Sequence, residues 1–145
     1  MKYDQLIQLY FERSNALQWY WTLYVVVIGG LLAVSNLRLR RDILTVCLVT
    51  VLYGFFACKN LGAIHDVTLQ RGATLEAIHQ YHAADAQTPE TEALRSQLEP
   101  TLVQPAYEGI RTFHITCDVL IILLLWAMER RRVKYAKDHP QAGPA

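Results

Sequence analysis

The chain reads as an all-α integral membrane protein: three transmembrane helices, with an extracytoplasmic helical hairpin between helices 2 and 3. Three observations predict this class. Apolar, aromatic and Cys residues make up 52% of 145 positions against 19% charged, a balance that excludes a disordered chain. The charges are also unevenly placed. Ser14–Leu37 and Ile43–Cys58 carry none, and Thr112–Met128 carries only Asp118. At ~1.5 Å per residue the first run reaches ~36 Å, enough to cross a ~30 Å hydrocarbon layer with some tilt. Finally, Lys and Arg cluster at two places that fall on one side of a bilayer only if three spans exist.

The first helix is expected from about residue 4 to 36. Asp4 is a candidate cap, Leu6, Ile7, Tyr10 and Leu17 recur at helical spacing, and no Gly or Pro intervenes before Gly29. Trp19, Tyr20, Trp21 and Tyr24 gather where amphipathic rings favour the headgroup layer. Gly29, Gly30 and Ala33 form a small-residue face that lets another helix approach closely. Ala33-Val34-Ser35 loosely mimics a signal-peptide cleavage site. The residues before it lack a basic region, however, so the segment reads as a retained anchor.

The second span is expected over about 42–64, with Asp42 as its cap. Its Thr50, Gly54, Cys58 and Gly62 repeat every four residues, a small-xxx-small ridge suited to helix packing in lipid. Lys59 and Asn60 mark its far end. From 65 to 104 the chain is more polar but keeps helical character, with Leu75, Ile78 and Tyr81 on one face. Ala86–Pro89 reads as a turn, with Thr88-Pro89 as a helix start. A short helix carrying Leu94 and Leu98 follows. This segment is too small to fold alone and is expected to pack on the projecting N-terminal helix or on neighbouring subunits. The third span begins at Pro105, runs to about 132 and carries a basic end. The tail from 138 to 145 should fray.

Orientation follows from charge. Arg38, Arg40 and Arg41 lie in the first link, and Arg130, Arg131, Arg132, Lys134 and Lys137 follow the third run, together eight of the fourteen Lys and Arg residues. Basic loops stay cytoplasmic. Residues 37–42 and the C-terminus are therefore expected inside, the N-terminus and 65–108 outside, in a bacterial plasma (inner) membrane. The partners expected are the lipid bilayer and either a second copy or another membrane protein. The net charge of +1 gives no basis for nucleic-acid binding.

Asp118 is the most informative single residue. A bare carboxylate near mid-span costs roughly 2.5–3.5 kcal/mol on insertion scales, so it should face protein or water, be paired, or be protonated. Arg111, His114 and Asp118 follow at i, i+3 and i+7 on one stripe, bordered by Cys117. Setting Ile43 beside Glu129 brings Gly54 level with Asp118 and Cys58 level with His114, and makes Lys59 the nearest cation on the second span. This polar cluster is either a proton or ion pathway or a buried tie that fixes helix register.

A second cluster, His79 and His82 with Glu76 one turn away, has spacing that could share a metal, though a solvated helix face shows the same pattern. Cys47, Cys58 and Cys117 all lie in apolar runs without CxxC spacing and read as small packing residues. The chain lacks GxSxG, P-loop and GxGxxG motifs. No catalytic residue and no cofactor is predicted, and an enzyme is the less favoured class.

Three functions remain. The first is a small membrane protein acting by helix association, as a homo-oligomer or as an accessory or scaffold subunit. The second is an oligomeric proton or ion conductor lined by Arg111, His114 and Asp118. The third is a metal-binding or redox membrane enzyme. The direction in which the Asp118 stripe faces separates the first two: a conductor needs it on a shared axis, whereas an accessory protein can seal it between its own helices.

Overall fold

A computed structural model of the chain describes residues 2–37, 42–81, 89–103 and 106–138. The basic link Arg38–Arg41, the Ala86–Thr88 turn, the start at Pro105 and the tail beyond Asp138 lie outside the described residues. Those described form helices α1 (Tyr3–Leu37), α2 (Ile43–His79), α3 (Pro89–Leu98) and α4 (Tyr107–Asp138), with a 3-10 turn at Glu99–Thr101. α1, α2 and α4 are long and apolar enough to cross a membrane.

Two boundaries differ from the sequence reading. Asp4 lies inside the first turn of α1, not at its cap, where its carboxylate still meets the positive end of the helix dipole. α2 does not stop near residue 64 but continues unbroken to His79. Gly62 and Gly72 are the obvious breakers there. A helical Gly costs only about 1 kcal/mol relative to Ala, and the buried Ile64, Val67, Leu75 and Ile78 carry the helix past both.

Burial follows a seven-residue step on α1 and α2. On α1 the positions are Tyr10, Leu17 and Tyr24; on α2 they are Val46, Tyr53, Asn60, Val67 and Thr74, interleaved with Ala57, Ile64 and Ile78. A 3.5-residue repeat keeps a narrow seam turned toward neighbouring helices. The small-residue positions lie off these seams. Gly29, Ala33, Cys58 and Gly62 are exposed, Thr50 and Gly54 are half-buried, and a Cβ added at Gly29, Gly54 or Gly62 would meet nothing within 4 Å.

The chain forms two compact units, the described residues of Met1–Tyr20 with Gly62–Ile110 and those of Trp21–Leu61 with Arg111–Ala145. In the first, Leu6 and Tyr10 of α1 pack with Leu75 and Ile78 of α2 and with Leu102, flanked by Tyr3, Ile7, Tyr81 and Leu98. The N-terminal helix thus supplies the apolar partner that the 62–110 segment lacks by itself. Two arginines fasten this core. Arg71 lies 4.7 Å from the Tyr10 ring centre and donates through Nη2 to the Tyr10 hydroxyl (2.5 Å) and the Val103 carbonyl (2.6 Å). Arg95 lies 5.1 Å from the Tyr3 ring centre and donates to Glu99 (2.8 Å), whose carboxylate also accepts from the Tyr3 hydroxyl (3.2 Å). That hydrogen bond to Glu99 holds the Arg95 pKa above its ordinary value.

In the second unit a buried acid, Glu129, joins helix ends. Its carboxylate accepts from Arg132 (3.2 Å) and from the Asp42 backbone N–H (3.3 Å) at the start of α2. Arg132 in turn donates to the Ser35 carbonyl in the last turn of α1. Asp42 caps α2 as expected, accepting from the Thr45 N–H (3.2 Å) and the Thr45 hydroxyl.

Ile78 is fully buried in the first unit, so Ile78→Ala should remove about 2–5 kcal/mol of stability. Leu69→Ala, at an exposed site on the same helix, should change it little. Thermal unfolding in detergent, followed by circular dichroism, checks both. Equal melting of the two variants would contradict the core described.

Candidate functional site

The site is built on the second unit around α4. An i, i+4 step on that helix stacks His114 and Asp118, and His114 Nδ1 lies 2.8 Å from Asp118 Oδ2. The other carboxylate oxygen, Oδ1, accepts from two phenols: Tyr24 of α1 at 2.8 Å and Tyr53 of α2 at 2.7 Å. Three long helices thus each place a donor on one carboxylate.

The far side of the imidazole is closed as well. Asn60 Nδ2 of α2 lies 3.3 Å from His114 Nε2. The Tyr24 ring stacks at 4.1 Å between centroids and the Trp21 ring lies at 5.9 Å. His114 has no exposed surface, Asn60 is 4% exposed and the Asp118 side chain 16%.

The Asn60 amide and the Asp118 carboxylate thus bracket the two ring nitrogens of His114. The Asn60 amide orientation and the ring tautomer go together: Nε2 accepts where the amide nitrogen faces it and donates where the amide oxygen does. Asn60 Oδ1 is buried with no hydrogen-bond partner. Turning the amide over would bring that oxygen to Nε2 and give it a donor when the ring proton sits there.

Of the residues singled out from sequence, the structure brings His114 and Asp118 together. Cys117 is half-buried beside them, whereas Arg111 and Lys59 are exposed. Gly54 does not oppose Asp118; the position before it, Tyr53, does. Tyr53 precedes Gly54 by one residue, a rotation of about 100° on the helix. Cys58 likewise gives way to Asn60 opposite His114. Tyr24, grouped from sequence with the aromatics of the headgroup layer, is 2% exposed within the chain, and its hydroxyl donates to Asp118. The seven-residue step through Tyr10, Leu17 and Tyr24, and through Val46, Tyr53 and Asn60, is the sequence signal that would have found all three.

The metal candidates fare differently. Among the described residues, no three His, Cys, Asp or Glu side chains gather around a common point, and His82 lies outside the described residues. His79 is exposed on an open groove of about 720 Å³ that Glu92, Arg95, Ser96 and Glu99 also line. Glu76 accepts from Gln80 (2.7 Å).

Compared with protein-family models, curated proteins and solved structures, the chain matches none.

Because the phenols share one oxygen of Asp118, their removal should be cooperative. Tyr53→Phe should cost about 0.6–1.7 kcal/mol, and the double variant with Tyr24→Phe should cost more than the two single losses combined, since Oδ1 then has no phenol donor. Thermal melts of the two single variants and the double in detergent test this, and strictly additive losses would refute a shared acceptor.

Proposed function

We propose that the protein is a small integral membrane protein that acts by helix association, as a homo-oligomer or as an accessory subunit of a larger membrane complex. The observation that carries this reading is the outward position of its small residues. Gly29, Ala33, Cys58 and Gly62 are exposed, on helices whose own seams run elsewhere. Lipid tails are as apolar as Leu, so contact between helices in a bilayer depends on close packing, and small side chains are what permit it.

The polar residues support the same reading. A conducting path would need His114 and Asp118 turned toward water or toward a shared axis. Both are instead engaged by Tyr24, Tyr53 and Asn60 of the same chain. This is the sealed arrangement suited to a packing role. The proposed orientation is a cytoplasmic C-terminus and a 65–108 segment outside, in a bacterial inner membrane, supported by the basic end of α4 and the acidic balance of that segment.

Gly54→Leu should disturb assembly, seen as a smaller particle when gently solubilised membranes are sized and the intact mass is measured. In parallel, wild-type protein in liposomes should move no protons above the protein-free rate. A measurable flux abolished by Asp118→Asn would replace this reading with a conductor, and unchanged particle mass would remove the Gly54 ridge from it. For orientation, a single cysteine at Gln80 in a Cys-free background should react with an impermeant thiol reagent from the periplasmic side. Labelling only from the cytosol would invert the proposed topology.

A further inference from the structure

The basic end of α4 has an asymmetry that topology alone does not require. α4 leaves its apolar run at Met128 and remains helical to Asp138. Over that extension the acid Glu129 is consumed internally by Arg132 and the Asp42 N–H. Arg130, Arg131, Lys134 and Lys137 are all exposed, and none has an ion-pair or hydrogen-bond partner among the described residues.

Their placement on the helix is ordered. Trp126, Arg130, Lys134 and Lys137 follow at i, i+4, i+8 and i+11, one face about 80° wide on a helix of 3.6 residues per turn, with Arg131 about 60° further round from Lys134 on the side away from Leu125 and Glu129. The buried positions Leu125 and Glu129 belong to a different line, turned about 100° away. Trp126, half-buried, stands at the apolar end of the strip, where an indole suits the membrane interface. From Arg130 to Lys137 the helix rises about 10 Å. That distance covers a headgroup layer roughly 5–7 Å deep on each side of the hydrocarbon core.

We propose that this strip is a binding surface for anionic lipid headgroups. Their phosphates would be held by Arg130, Lys134 and Lys137, with Arg131 at the flank and Trp126 seated at the acyl boundary. The inference rests on α4 crossing the bilayer, but not on self-association or on any partner. The occupant follows from charge and position. Four exposed cations against one exposed acid, Asp138 at the helix end, leave a net positive surface that calls for net negative charge, which zwitterionic lipid lacks. A strip that begins on a membrane span already lies among lipid phosphates, without a second binding event. A soluble polyanion would have to reach it at the same surface, in competition with those lipids.

The test uses Trp126 as the reporter. Full-length protein carrying Trp19→Phe and Trp21→Phe, which leaves Trp126 as the single tryptophan, is reconstituted into phosphatidylcholine vesicles containing an equal share of phosphatidylglycerol. The acyl chains of one lipid or the other are brominated. Brominated phosphatidylglycerol should quench Trp126 more strongly, with a relative association constant about fivefold above that of phosphatidylcholine for each cation engaged. The preference should shrink as salt is raised. The variant Arg130→Gln, Lys134→Gln, Lys137→Gln should bring the ratio to about one. Because the three substituted side chains are exposed, circular dichroism should be unchanged.

A second measurement needs no tryptophan change: wild-type protein extracted gently from mixed vesicles should retain phosphatidylglycerol in excess over its bulk share, and the triple variant should not. Equal quenching by both brominated lipids, or retention at the bulk ratio, would overturn the proposal. So would an RNA oligonucleotide that binds the vesicle-embedded protein and displaces phosphatidylglycerol at low micromolar concentration, which would assign the strip to nucleic acid. No quenching by either lipid would overturn the transmembrane placement of α4 itself, and the proposal with it.

Discussion

A carboxylate in the middle of an apolar helix must be satisfied by the protein, because the hydrocarbon layer offers it no water. Asp118 imposes that requirement here, and three helices answer it. Tyr24 comes from α1, Tyr53 from α2, and His114 from α4 itself one turn earlier. Each donor has a fixed reach, so meeting one acceptor sets the level and rotation of its helix. Dispersion between apolar side chains could not do this alone, since sliding one helix past another exchanges Leu for lipid at little net gain.

A second acid extends the constraint. Glu129 lies eleven residues after Asp118, close to three full turns, and therefore on nearly the same face of α4. Its partners are displaced by the same interval. Ser35, whose carbonyl accepts from Arg132, is eleven residues beyond Tyr24, and Asp42, whose N–H reaches Glu129, is eleven residues before Tyr53. Two ties about 16 Å apart, with equal spacing on three helices, hold register against both slip and rotation. Single hydrogen bonds between membrane helices contribute modestly, often well under 2 kcal/mol. Register here depends on two ties whose geometries agree.

Much of this could be read in advance, and the failures have physical causes. The three long helices were legible because apolar runs of sixteen residues or more with at most one charge have few alternatives. The level of Asp118 on α2 was legible to one residue by matching chain ends. Its face was not. In a lipid-facing helix both sides are apolar, so amphipathicity does not mark the inner side. The small-residue ridge through Gly54 offered a second plausible seam. Only the seven-residue recurrence of Tyr53, Asn60, Val67 and Thr74 points to the buried face, and two of those four residues look polar enough to be placed elsewhere. The same ambiguity put Tyr24 among the interfacial aromatics. Trp19 is 66% exposed, whereas Tyr24 is buried with its hydroxyl on Asp118. The continuation of α2 to His79 was hidden by Gly62 and Gly72, and by a change to polar composition at His65. That change alters the medium around the helix without stopping it.

The division between polar and small residues bears on how the chain would meet a neighbour. The two buried acids of α4, Asp118 and Glu129, are engaged by donors of the same copy, so that copy can hold its own helices in register before anything associates with it. Gly29, Ala33, Cys58 and Gly62 are left on the outside, and small side chains contribute little to packing within a chain whose seams are built from Tyr, Leu, Val and Ile. Their value is realised only when another backbone comes close, because attraction between helices in lipid falls steeply with separation. On the proposed reading, folding and association therefore use different residues and different forces: hydrogen bonds to buried acids within the chain, and close van der Waals contact between chains. A substitution on the small-residue faces can then weaken assembly while leaving the Asp118 and Glu129 ties intact.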